Sequence, residues 1–138
     1  MTKKIFIASD HAGYEMKVKL HNHFTQLIDL GTNSTESVDY PDFAHKLSNE
    51  VLKNKESLGI LICGTGVGMS MSANRITGIR AGLVNNNEIA RLIRQHNDAN
   101  VLVIPGRFME EKEAIRCVRT FLNTKFEAGR HKNRIDKI

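Results

Sequence analysis

Cysteine is scarce in this 138-residue chain: Cys63 and Cys117 are the only two, and they form no Cys-x-x-Cys pair. Two separated thiols cannot build a disulfide framework, and such sparing use fits a reducing compartment. No apolar run approaches the ~20 residues needed to span a bilayer. The apolar stretch in the opening "MTKKIFIASDHAG" lasts about five residues before an acid, too short for the core of a secretion signal. The expected location is therefore the cytoplasm, with no membrane partner. Aromatic residues make up only 6%, and the basic residues behind the net charge of +5 are scattered along the chain without a recognition motif. Nucleic acid is not the expected partner. The one basic concentration, "GRHKNRIDK" near the C-terminus, suits a solvated face or a small anionic ligand. Metal-ligand spacing is missing too. His21 and His23 are two apart on a predicted helix, so they face different ways, and no carboxylate stands at ligand spacing beside them.

What is present is an ordinary globular composition, 41% hydrophobic and 25% charged, in a chain long enough for one domain spanning residues 1–138. Short β-branched runs alternate with helical patterns. "KIFIAS", "LIDLG", "GILIC", "GIRAGLV" and "NVLVIPG" predict five strands. Between and after them lie patterns for helices: about 13–24, one carrying Phe43, Ala44, Leu47 and Val51, one starting near Gly68, "NNEIARLIRQH" behind an asparagine-rich cap, one around Cys117, and a basic helix at about 129–137. No linker or repeat interrupts the alternation. It predicts an α/β, Rossmann-like three-layer fold: a five-stranded, mostly parallel sheet with helices on both faces. Cys117, on the apolar stripe of Ala114, Ile115, Val118, Phe121 and Leu122, reads as a packed small hydrophobe.

Ligands of such sheets bind at the carboxyl ends of the strands. The residues expected there are Asp10 and His11, the run from Cys63 to Gly68, and Arg107. "GILICGTGVGMS", residues 59–70, is the most informative stretch. It does not fit a dinucleotide fingerprint, because Met69 occupies the third glycine's place and no acid ends the following strand. It does not fit a P-loop, because no Gly-Lys-Ser/Thr closes it. A tight turn would need one glycine. Gly64, Gly66 and Gly68 together suggest backbone amides left bare for an anion, beside a thiol at an exposed strand end and a helix N-terminus, where the dipole favours a thiolate. His96, in "RQHNDAN", ends a helix, a place that suits a histidine with or without a function.

Together, "SDHAG" (9–13), "VDYPDFA" (38–44), "ILICGTGVGMSMSANR" (60–75), "GIRA" (78–81), "RQHNDANVL" (94–102), "PGR" (105–107) and "GRHKNRI" (129–135) resemble the ribose-5-phosphate isomerase B family, which also includes galactose-6-phosphate isomerase subunits. The resemblance runs from end to end and implies an aldose–ketose isomerase acting on a sugar phosphate. It implies Cys63 as the base between C2 and C1, and His96 as the proton donor that opens the sugar ring. Asp10 and Tyr40 would contact the sugar. The amides of Gly64, Thr65, Gly66, Val67 and Gly68, with Asn97, would hold the enediolate. His11, Arg107, Arg130 and Arg134 would bind the phosphate. No cofactor or metal is implied, since the proton leaves and returns on the same molecule. Arg130 and Arg134, four apart on a helix, share one face and suit a single phosphate.

The leading reading is interconversion of ribose 5-phosphate and ribulose 5-phosphate; the alternatives are a six-carbon phosphate such as galactose or allose 6-phosphate, and a non-catalytic nucleotide- or anion-binding module. The element order adds an expectation about assembly. Cys63 ends a strand, whereas His96 precedes one, so they belong at opposite edges of the sheet. A homodimer with shared active sites, or a tetramer built from it, would bring them together.

Overall fold

A computed structural model describes residues 3–138. Five strands form the sheet: β1 (Ile5–Ser9), β2 (Ile28–Asp29), β3 (Leu58–Cys63), β4 (Ala81–Leu83) and β5 (Val101–Pro105). Six helices accompany them: α1 (Tyr14–His23), α2 (Tyr40–Lys53), α3 (Val67–Asn74), α4 (Asn87–Asn97), α5 (Glu111–Asn123) and α6 (Arg130–Ile135). Strand order is β2-β1-β3-β5-β4, and every pairing is parallel, which sharpens the expected "mostly parallel" sheet.

Period-two alternation explains how the layers form. In β1, Ile5 and Ile7 join one apolar cluster and Phe6 and Ala8 the other; in β5, Leu102 and Ile104 part from Val101 and Val103 in the same way. The first cluster is closed by α1, α4 and α5 through Met16, Leu20, Ile93 and Phe121, and the second by α2 and α3 through Leu47, Val51 and Met69. This division follows from right-handed crossovers. The chain moves one way along the sheet through α1 and α4, and the opposite way through α2 and α3, so the two pairs fall on opposite faces. Leu20, Leu47 and Phe121 are fully buried, each stabilising the fold by about 1.5–3 kcal/mol. Cys117 is fully buried in the first cluster, as its helical stripe predicts.

The asparagine cap expected before the fourth helix is made. The Asn86 side chain accepts a hydrogen bond from the Ile89 amide at 2.9 Å, capping α4. Two edge strands are shorter than the sequence suggests. "GIRAGLV" pairs only over Ala81–Leu83, because Gly78 has φ +96° and the Asn100 side chain takes the Gly78 carbonyl and the Arg80 amide. "LIDLG" gives only Ile28–Asp29, anchored from below by a 2.6 Å ion pair between Lys17 and Asp29. Among the described residues, no helix is long and apolar enough to cross a membrane.

Candidate active site

The chain leaves β1 through α1 towards β2, but leaves β3 through α3 in the other direction, so a crevice opens between the carboxyl ends of these neighbouring strands. Their loops are tied together: the Asp10 amide donates to the Ile62 carbonyl at 3.2 Å. Asp10 is buried, and its Oδ1 accepts from the Gly13 amide at 3.0 Å, which fixes the turn carrying His11. His11 Nδ1 accepts from the Val38 amide at 3.1 Å. In the neutral ring the proton is then on Nε2, free to face a ligand.

Cys63 is the last residue of β3, level with Pro105 of β5. The strand-end position is as expected, but the expected exposure is not. Cys63 is only 5% exposed and belongs to the cluster under α2 and α3. Central strands on both sides and a helical layer above cover it, and all of these except α3 come from segments remote in sequence. The glycine loop departs from it at once. Gly66 has φ +79°, and a Cβ there would lie 2.4 Å from Leu83, so only glycine fits. A Cβ on Gly68 would lie 2.5 Å from the Tyr40 ring, so Tyr40 at the start of α2 rests directly on the loop. Among the described residues no acceptor is bonded to the amides of Thr65, Gly66 and Gly68, while the Val67 amide donates to the Thr65 hydroxyl at 3.1 Å. These are the free donors expected at a helix N-terminus.

Arg107 joins the same crevice. Its amide donates to the Gly64 carbonyl at 3.0 Å, and its side chain and Ala12 flank Gly64 from two sides. His11, Arg107 and Lys19 line an adjoining cleft of about 520 Å³. One group of the expected residues thus converges within one chain: Asp10, His11, Tyr40, Cys63, Gly64 to Gly68 and Arg107.

The rest converge elsewhere. His96 and Asn97, at the end of α4, line a second cleft of about 260 Å³ with His131 and Arg134 of α6. Arg130 opens that same helix. Beyond the expected set, His131 stacks on His96 with ring centroids 4.3 Å apart, and Glu127 Oε1 lies 3.7 Å from His131 Nε2 and 4.0 Å from His96 Nε2. Burial pushes the His131 pKa below its ordinary value, the positive charges of His96, Arg130 and Arg134 add to that, and Glu127 opposes it. The sequence signal for His131 was its place between Arg130 and Arg134; Glu127 carried none. Two arginines hold the backbone beneath His96. Arg94 reaches Asp98 and the Ala99 carbonyl at 2.8 Å each, and Arg80 reaches the Asp98 carbonyl at 2.8 Å.

The two groups lie at opposite edges of the sheet. Val101, which follows shortly after His96, is level with Gly59, at the start of the strand that Cys63 ends.

Such a crevice, with a thiol, bare amides and the Arg107 side chain beside them, suits a small anionic molecule, and comparison with known proteins identifies the family. The family model described as Ribose/Galactose Isomerase matches residues 5–138. The structure of ribose 5-phosphate isomerase from Thermotoga maritima is 50% identical with a TM-score of 0.96, covering 99% of this chain and 97% of that one. Ribose-5-phosphate isomerase B from Mycoplasma genitalium, solved with bound ribulose-5-phosphate, is 47% identical with a TM-score of 0.95, covering 99% and 94%. Ribose-5-phosphate isomerase B of Escherichia coli is 40% identical across 99% of this chain and 94% of its own length. The chain belongs to the ribose/galactose isomerase family.

Proposed function

We propose that this aldose–ketose isomerase interconverts ribose 5-phosphate and ribulose 5-phosphate through an enediolate, as a cytoplasmic homodimer with shared active sites. The observation that carries the residue roles is the convergence of Cys63, the free amides of its glycine loop and Arg107 in one crevice. The bound ribulose-5-phosphate of the Mycoplasma genitalium relative supports a five-carbon substrate.

In this mechanism His96 of the partner subunit delivers a proton to the ring oxygen as its bond to C1 breaks, while the anomeric hydroxyl gives up its proton to water and becomes the aldehyde carbonyl. The Cys63 thiolate removes the proton from C2, and the electron pair moves through the C1–C2 bond onto the carbonyl oxygen. Amides from Gly64 to Gly68, with Asn97 of the partner subunit, hold the resulting charge. Such donors act strongly because they are already oriented when the charge develops. The proton of the C2 hydroxyl passes to O1, the Cys63 thiol returns its proton to C1, and the C2 carbonyl forms, giving the ketose with no cofactor and leaving the thiolate as it began. Asp10 and Tyr40 hold sugar hydroxyls. His11 and Arg107 from one side, and Arg130 and Arg134 from the other, hold the phosphate.

The family's description also names galactose isomerases, so a six-carbon phosphate is the competing substrate. The test is turnover of ribose 5-phosphate against allose and galactose 6-phosphates, by wild type and by Cys63→Ala. Wild type should prefer the five-carbon substrate. The variant should fall by 10²-fold or more, the scale of a lost acid–base group, while still binding the sugar phosphate. Because Cys63 is buried, it should also lose about 1 kcal/mol of stability, comparable to one buried methylene. Faster six-carbon turnover would reassign the substrate. Nucleotide binding with no turnover of any sugar phosphate would reduce the glycine loop to a cradle.

A further inference from the structure

The His96–Glu127–His131 cluster has a chemistry of its own. One ligand atom from each residue lies within 4.8 Å of the other two. The three come from separate parts of the chain: the end of α4, the segment after α5, and α6. Their backbones are already fixed to one another. The Glu127 amide donates to the Gln95 carbonyl, next to His96, at 3.1 Å, and the His131 amide donates to the Ala128 carbonyl at 3.1 Å.

Two imidazoles and one carboxylate are a zinc-type ligand set, with bonds of about 2.0–2.2 Å and a fourth position left for water or substrate. A tetrahedral ion with such bonds needs its ligand atoms about 3.3 Å apart, so from separations of up to 4.8 Å the longest edge must contract by at most about 1.5 Å. The side chains able to make that movement are the exposed ones. Those of His96 and Glu127 are 40% and 52% exposed, while that of His131, at 10%, is the fixed point. The His96 and His131 rings stack 18° from parallel, so the His96 ring must turn to aim its Nε2 at the shared ion.

We propose that His96, Glu127 and His131 form an inhibitory site for zinc, in which the ion occupies the His96 Nε2 needed for ring opening. The inhibitory part rests on the role of His96 proposed above; the binding part does not. Zinc here is an inhibitor rather than a cofactor, so the chelated enzyme is the active one.

The test uses the full-length protein after dialysis against EDTA, titrated with zinc chloride in a calorimeter and assayed with ribose 5-phosphate. One zinc per chain is expected. Glu127→Gln and His131→Gln should each weaken binding at least tenfold. Glu127→Gln should keep its basal turnover and lose zinc sensitivity, and EDTA should restore inhibited wild type. A Cys63→Ser chain that still takes up one zinc would separate this site from the thiol. Absence of binding, or binding unchanged in both Gln variants, would overturn the site. Loss of uptake in Cys63→Ser alone would move it to the thiol. Stoichiometric binding without inhibition would overturn the inhibitory half and the ring-opening role of His96, leaving the metal site standing. Activity lost in EDTA and restored by zinc would overturn the inhibitory half as well, by making the ion a cofactor.

Discussion

The two cysteines show how far environment outweighs residue type. Both are buried, yet they sit in different surroundings. Cys117 lies wholly inside the layer between the sheet and α5. Burial pushes its thiol up to about 12; Glu113 adds to this and Arg116 subtracts from it. At pH 8 only about one such thiol in ten thousand is ionised, and the thiolate is the reactive form. Cys63 stands at the mouth of the glycine loop, beside unpaired amides. Iodoacetamide at pH 8 should therefore add one group per chain, at Cys63, and activity should fall in step with that modification. Ribose 5-phosphate should slow it. Peptide mapping by mass spectrometry decides the matter: labelling of Cys117 at a comparable rate in the folded protein would contradict this account of both thiols.

Elements are held in place by interactions that sequence patterns expose unevenly. The buried α1 residue Lys17 reaches Asp29 of β2 at 2.6 Å, and Asp29 also accepts from the Gly31 amide at 2.8 Å. Burial alone would push the Asp29 carboxyl up. The Lys17 hydrogen bond, the Gly31 amide and the charges of Lys17 and His21 outweigh it and hold the carboxyl below its usual range. A carboxylate depressed in the folded state contributes its stability above the unfolded value, about 3.9, and loses it as pH falls through the folded value. Asp29→Asn strands a buried lysine and should cost about 3 kcal/mol at pH 7. The gap in melting temperature between wild type and variant should close as pH drops below about 4. A gap that stays constant to pH 2.5 would show that the pair's ionisation contributes nothing. None of this was visible in the sequence, where Lys17 reads as one more helix-surface cation. The strong periodicities were legible: α4, α5 and the three central strands lie where the apolar pattern puts them. The edge strands β2 and β4 are shorter than the apolar pattern suggests; for β4, side-chain bonds from Asn100 and a left-handed Gly78 delay its start to Ala81. The candidate site followed the same division. Residues carried by the strand ends and the glycine loop could be named, whereas the burial of Cys63 and the meeting of His96, Glu127 and His131 depend on packing between distant segments.

At the scale of the whole molecule, the sheet's register sets the main constraint on mechanism. Cys63 is level with Pro105 and Gly59 with Val101, while His96 precedes Val101 by a short turn. The six residues of β3 therefore separate the two groups by about 17 Å, at roughly 3.3 Å per residue. A ribose phosphate held by the glycine loop cannot be reached by its own chain's His96 across that distance. The proposed mechanism needs both groups at one sugar, and a two-fold dimer meets that need, with one interface creating two composite sites. Each would take Cys63, Tyr40, His11 and Arg107 from one protomer, and His96, Asn97, Arg130 and Arg134 from its partner. Complementation tests this division. Cys63→Ala and His96→Asn chains, each inactive alone, would be co-expressed with different affinity tags and the mixed dimers isolated. A mixed dimer has one site with both defects and one with neither, so it should recover half of wild-type activity per dimer. The unfractionated mixture, in which about half the dimers are mixed, should recover roughly a quarter. If a single chain supplied both residues, every site in the mixed dimer would lack one of them. Purified mixed dimers with no activity would then place His96 and Cys63 in the same protomer's site and end the composite assignment.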